Sequence, residues 1–298
     1  MVEQSASTAQ KEKIRVDLFG SRDLSIERDV WIDYAVATET LMHLQWLIDH
    51  PESHRPPCCL IVGDTNNGKT SIARYFAGKH IKRVAPEPQE PEHPVVYIQA
   101  PPGPNLSILY SNLLRAVNAP TQRSWAWSRS QQQIVDLFPR LKVRMIIVDE
   151  VHNLLQGTRD QQSLFLNGLK YLTNELQIPV VVIGTKSAES VFQTDQQLGN
   201  RFKPHRLPLW EAGKDYTTFI IRLIKSKGYE PTDGWFETRI INKVHVMTGG
   251  LTGETTALIS RVVRAAVEAG KLEIDTTFLE KVDWVKPGSR RSNARGST

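Results

Sequence analysis

Cysteine is almost absent: the 298 residues hold two, Cys58 and Cys59, side by side. Adjacent cysteines cannot close a long loop, and no C-x-x-C pair is present, so a disulfide framework and a zinc site of that kind are both excluded. Two core thiols are expected. Long apolar runs are lacking too: nothing approaches the ~18 consecutive apolar residues of a membrane span, and the polar opening MVEQSASTAQKEK has no apolar stretch of a secretory signal. The expectation is a cytoplasmic protein with no membrane partner. No internal repeat is visible. The formal net charge is +5, but Lys286, Arg290, Arg291 and Arg295 fall at the end of the chain with no acid among them, which leaves the body close to neutral. Global charge therefore does not establish nucleic-acid binding.

What is present is a run of four apolar residues ending in a glycine-rich loop. Cys59-Leu60-Ile61-Val62 leads into Gly63-Asp64-Thr65-Asn66-Asn67-Gly68-Lys69-Thr70, which reads G-x-x-x-x-G-K-T, and an amphipathic segment begins at Ser71. Strand, loop and helix in that order are the context a phosphate-binding P-loop requires. Gly63 and Gly68 let backbone N–H groups turn inward around phosphates, Lys69 offers a point charge to the β- and γ-phosphates, and Thr70 offers a hydroxyl to Mg²⁺. The expected ligand is ATP with Mg²⁺, held by residues 63 to 71.

A second informative element lies some eighty residues on. Met145-Ile146-Ile147-Val148 runs into Asp149-Glu150, a buried parallel strand ending in paired carboxylates at the edge where ligands of doubly wound sheets bind. Asp149 suits the Mg²⁺ shell and Glu150 suits the general base that polarises an attacking water. Further apolar runs at Val95–Ile98 and Val180–Ile183 alternate with helical periodicities at Ala37–Ile48, Leu106–Val117 and Phe165–Leu176, giving an α/β parallel sheet flanked by helices. Thr185 then falls beside Glu150, where it either positions the water or is a satisfied strand-end hydroxyl. Arg201 ends a short helix before a last strand expected at Arg206-Leu207-Pro208-Leu209. It can reach a neighbouring subunit's phosphate, and pairing on its own surface accounts for it equally well. Ser124–Arg129 reads as a loop whose tryptophans either stack on bases or anchor the core.

From Glu211 strand signals vanish and helical patterns broken by glycines suggest a small separate domain. The expected organisation is a disordered segment 1–14, a nucleotide-binding domain 15–210, a helical lid 211–284 and a flexible basic tail 285–298.

The order of these parts resembles the AAA+ ATPases. More narrowly, GDTNNGKT, VDEVHNLL, FLNGLKYLTNELQIPVV, VIGT and DQQLGNRF resemble the TniB family, ATP-dependent transposition proteins related to TnsC. The resemblance implies an ATPase that assembles as a ring or helical filament on double-stranded DNA. It also implies recruitment of a TniA-like transposase, sometimes beside a TniQ-like adaptor, and disassembly on hydrolysis. By the same resemblance Gly63, Gly68, Lys69 and Thr70 are Walker A, Asp149 and Glu150 Walker B, Thr185 sensor 1 and Arg201 a trans-acting arginine finger. His152 matches the DEVHN segment without an assigned role. Gly250–Glu254 offers no sensor-2 arginine. Thr121 and Arg123 occupy a loop that in relatives of TnsC tracks the DNA backbone. A helicase-loader-like remodeller, a small-molecule P-loop kinase and a nucleotide switch with little turnover are the competing readings.

Overall fold

The computed structural model describes residues 30–80, 92–122, 126–193, 196–270 and 274–293. The expected disordered start, Arg123 and Trp125 lie outside them. Five strands form: β1 (Cys58–Val62), β2 (Val95–Gln99), β3 (Met145–Asp149), β4 (Val180–Gly184) and β5 (Phe202–Arg206). All are parallel, in the order β2-β3-β4-β1-β5. The three inner strands are buried at every residue, while burial in the edge strands β2 and β5 is broken. A parallel sheet covered on both faces needs continuous apolar strands in its middle and tolerates polar residues only at its rims.

The last strand differs from expectation. It is Phe202–Arg206, not Arg206–Leu209, and its sequence is FKPHR. An edge strand pairs on one side only, so it needs no apolar run and can accept Pro204, which pairs in register with Leu60. Leu207 donates its N–H to Val62 O at 2.8 Å, and the chain then leaves the ladder.

Around the sheet run α1 (Ala35–Ile48), α2 (Lys69–Lys79), α3 (Leu106–Ala116), α4 (Trp127–Leu137), α5 (Arg159–Leu176), α6 (Lys186–Gln193) and α7 (Gln196–Arg201). The apolar stripes of α3 and α5 are buried, as their periodicity requires. α5 opens on a capping box: Thr158 accepts from the Gln161 N–H, and the Gln161 side chain accepts from the Thr158 N–H. The tryptophan segment expected as a loop is helical from Trp127 onward. Ser130 and Ile134 of α4 are buried, and the Trp127 ring lies 6.5 Å from that of Tyr110.

Contacts divide the described residues into two compact units, 36–208 and a second that joins 30–35 to 209 onward. In its described part the second unit holds α8 (Lys214–Ser226), α9 (Thr238–Thr248), α10 (Thr252–Glu268), α11 (Thr276–Lys281) and α12 (Pro287–Asn293). Its core gathers Tyr216, Trp235, Ile241, Leu258 and Val262. Tyr34 packs on Trp210 and Phe219 with ring centroids 5.1 and 5.4 Å apart, so this residue anchors the helical unit. Within the expected basic tail, one cation is engaged. Arg290 of α12 makes a bidentate pair with Glu254 at 2.9 and 2.8 Å, and Glu254 is buried. A buried carboxylate must be paired, and this one takes its cation from the tail. Among the described residues no helix is long and apolar enough to cross a membrane.

Candidate nucleotide site

β1 delivers the chain to the edge where the strands end, and the loop there is shaped by two left-handed residues. Asn66 has φ 64° and Gly68 φ 83°; asparagine and glycine are the residues that adopt this conformation at least cost. α2 then starts at Lys69 with no side chain capping its first turn, so its leading N–H groups point at the space inside the loop. Lys69 is buried and donates to Gly63 O at 2.9 Å and Asp64 O at 2.6 Å. Burial pulls its pKa down, and the charges of Glu150, Asp149 and Asp64 push the other way. Asn67 is also buried; it donates to Leu207 O at 3.1 Å and Pro208 O at 3.0 Å, tying the loop to the segment after β5. Thr65 and Ser71 are exposed. Asp64 pairs with Lys186 at 3.0 Å, a surface contact worth little by itself.

β3 brings the carboxylates. Asp149 is 1% exposed, and its three hydrogen bonds fix it completely: Oδ2 accepts from Thr70 Oγ1 at 2.7 Å and from Tyr97 Oη at 2.8 Å, and Oδ1 accepts from the Glu150 N–H at 2.7 Å. A hydroxyl at the start of α2 and a carboxylate at the end of β3 therefore converge, the hard oxygen donors that Mg²⁺ takes together with waters and substrate phosphates. These residues fit the ion. Among the described residues no group of three or more His, Cys, Asp or Glu side chains could hold a metal, so here a cation would depend on the nucleotide's own oxygens. Glu150 follows in left-handed backbone, φ 60° and ψ 33°, and its Oε2 lies 3.1 Å from His152 Nε2. Because β4 runs between β1 and β3, Thr185 emerges between the P-loop and the carboxylates; its Oγ1 shares a 2.7 Å hydrogen bond with Ser187 Oγ.

Tyr97 is the residue that motif reading misses. It sits in β2, one strand away from Asp149, and the Arg74 guanidinium lies 5.7 Å from its ring centroid. Burial pushes its hydroxyl up to about 12, which keeps it a donor to the carboxylate. A polar-tipped aromatic in the strand beside the paired acids is the only sequence signal it leaves.

Arg201 and Thr121 are not brought here. Arg201 ends α7 immediately before β5, at the edge where strands begin, and a five-residue strand puts ~16 Å between that edge and the P-loop. Its guanidinium donates to Thr173 Oγ1 at 2.5 Å and Asn174 Oδ1 at 2.9 Å on α5. It lines an open cavity of about 860 Å³ whose other walls include Arg55, Lys170, Lys203, His43 and Trp46, with no Asp or Glu among the lining residues. Thr121 donates to Ser111 on α3 at 3.3 Å, and Arg123 lies outside the described residues.

The family model of the bacterial TniB protein matches residues 22–212, which span the P-loop, both carboxylates and Arg201. The chain belongs to the TniB family. No curated protein matches it. Among solved structures it is similar to the ORC2 protein of Aeropyrum pernix in ADPNP–ADP complexes, with a TM-score of 0.61, 14% identity, and coverage of 91% of this chain and 74% of that one. Cdc6p of Pyrobaculum aerophilum matches with a TM-score of 0.61 and 17% identity over 85% of this chain and 68% of that one. The ORC1 protein of A. pernix in complex with DNA matches with a TM-score of 0.54 and 12% identity over 91% and 69%. At such identities these likenesses establish the fold, and this member of the TniB family has the AAA+ fold.

Proposed function

We propose that this member of the TniB family is an ATP-dependent, DNA-binding oligomer that regulates transposition, marking target DNA and recruiting or activating a TniA-like transposase, with hydrolysis releasing the assembly. The observation that carries the reading is the split between the two edges of the sheet. One subunit gathers the P-loop, the Thr70–Asp149 pair and Glu150, and holds Arg201 a strand-length away in a cavity lined by cations and no acids. An anion from outside the chain suits that cavity, and a second copy's bound triphosphate is such an anion. The DNA and transposase parts rest on the family and on the DNA held by the similar ORC1 protein.

In this reading Lys69 and the open start of α2 bind the phosphates. Thr70 and Asp149, oriented by Tyr97, hold Mg²⁺, which when bound screens the phosphate charge. Glu150 takes the proton of the attacking water, Thr185 helps place that water, and Arg201 serves the neighbour's site. Thr121 and Arg123 supply sequence-independent phosphate contacts to DNA.

The test is a fluorescence-anisotropy titration of a labelled duplex with the protein, run in parallel with ADP and a non-hydrolysable ATP analogue. Cooperative binding with the analogue alone, weakening steeply with salt and indifferent to sequence, is expected. No binding in either state by a protein that binds nucleotide refutes the DNA reading.

A further inference from the structure

The segment after the paired carboxylates does more than end the strand. Glu150 adopts a left-handed backbone conformation, which is unfavourable for a non-glycine residue, to turn the chain sharply into a 3₁₀ turn at Val151–Gln156. Val151 and Leu154 are buried and pin that turn. Gly184 at the end of β4 leaves room for it: a Cβ there would stand 3.0 Å from Val151 Cγ2 and 3.6 Å from the His152 N–H nitrogen. The turn swings His152 back until its Nε2 lies 3.1 Å from Glu150 Oε2.

The other ring nitrogen settles which way the imidazole is used. Among the described residues, His152 Nδ1 is buried with no hydrogen-bond partner. A proton on Nδ1 would be a buried donor without an acceptor, the costlier defect, so the surroundings favour the tautomer with its proton on Nε2. That N–H donates to Glu150 Oε2, leaving Oε1 to the nucleotide side. Glu150 follows Asp149 at the end of β3, where Asp149 takes the hydroxyl of the P-loop Thr70, so it stands beside the phosphate site.

We propose that His152 is a positioning residue for Glu150, fixing one carboxylate oxygen so that the other is presented to the attacking water. This rests on the ATPase reading above. In the step it serves, the water oxygen bonds to the terminal phosphorus while the bond from phosphorus to the bridging oxygen breaks. The electron pair leaves with ADP, and the water's proton passes to Glu150. A base oriented by a third group is the arrangement that activated-nucleophile sites share.

The experiment compares steady-state ATPase rates and nucleotide affinity of the full chain with those of His152→Ala, His152→Leu, His152→Gln and Glu150→Gln. His152→Ala and His152→Leu should lose kcat by about 10- to 100-fold, part of the ~10²–10⁴-fold that a general base supplies, with KM and nucleotide affinity unchanged. His152→Gln, which keeps an N–H donor, should recover most of the loss; if the alanine variant does not fold, the leucine and glutamine variants carry the comparison. Wild-type kcat in His152→Leu, or a glutamine variant no better than leucine, overturns the proposal while an inactive Glu150→Gln leaves the ATPase reading standing. Undiminished turnover in Glu150→Gln overturns the reading itself.

Discussion

Tyr97→Phe removes a single oxygen, and that oxygen donates at 2.8 Å to a carboxylate that is 1% exposed. A hydrogen bond to a charged group contributes about 1.5–3 kcal/mol, and the buried acceptor left behind sets the cost. Asp149 keeps the Thr70 hydroxyl and the Glu150 N–H, and Tyr97 is only half-buried, so the lower end applies. About 1.5 kcal/mol in a unit of this size lowers the melting temperature by about 3–6 °C. Differential scanning fluorimetry without nucleotide reads it. The same substitution takes from Asp149 Oδ2 one of its two orienting donors, so the Mg²⁺ concentration for half-maximal ATP turnover should rise about 10-fold, the usual effect of losing a group that orients a metal ligand. A melting temperature within about 1 °C of wild type, by the same scaling, means that the Tyr97 hydroxyl contributes nothing measurable to the buried carboxylate. An unchanged Mg²⁺ requirement would remove Tyr97 from the ion's support.

Lys69→Ala should abolish nucleotide binding, and Arg201→Ala should bind ATP but turn it over poorly; a mixture of the two should regain part of the activity in an ATPase assay if Arg201 acts across subunits, and no rescue in a mixture that assembles argues for a role within one chain. At alkaline pH the hydroxyls of Tyr97, Tyr110 and Tyr229, each pushed up to about 12 chiefly by burial, favour the folded state while the unfolded chain ionises near ~10. Their contribution is therefore fully present below about pH 10 and lost as the pH rises toward about 12, because the unfolded state then binds fewer protons. Urea midpoints between pH 8 and 12 should fall with that profile, and a flat profile would contradict the burial of these rings.

The nucleotide-binding elements were legible because each is an apolar run that must be buried, ending in residues that cannot be. Cys59–Val62 before Gly63 and Met145–Val148 before Asp149 are strands by length and composition, and their polar ends mark the working edge. Where an element is only half-buried the signal fades. β5 reads FKPHR because one side of it has no strand to meet, and the apolar Leu207-Pro208-Leu209 beside it looks more like a strand than the strand does. α4 escaped because only Ser130 and Ile134 of WSRSQQQIVDL are buried and the polar run SRSQQQ interrupts its apolar period. The Arg290–Glu254 pair joins residues 36 apart in sequence, and only packing reveals that this one charge of the tail is spoken for. The roles of Tyr97 and His152 depend on a strand neighbour and on a left-handed turn, which no spacing rule encodes.

Arg201 and the P-loop are fixed by the same rigid element, and that has a kinetic consequence. β5 pairs with β1 through all five residues, Cys58 opposite Phe202 and Val62 opposite Arg206, so the distance between the edges is set by a ladder that cannot shorten. An arginine side chain does not span the ~16 Å of such a strand. Its fork is also held from behind by Thr173 and Asn174, which aims it outward from α5 without lending it to the sheet's other edge. If Arg201 takes part in turnover, the rate per subunit must rise with protein concentration until assembly saturates. Substituting Asn174 with alanine should then lower the plateau while leaving the nucleotide affinity of the isolated subunit untouched. A rate per subunit that is flat from nanomolar protein upward would place the whole reaction within one chain and leave Arg201 a surface cation.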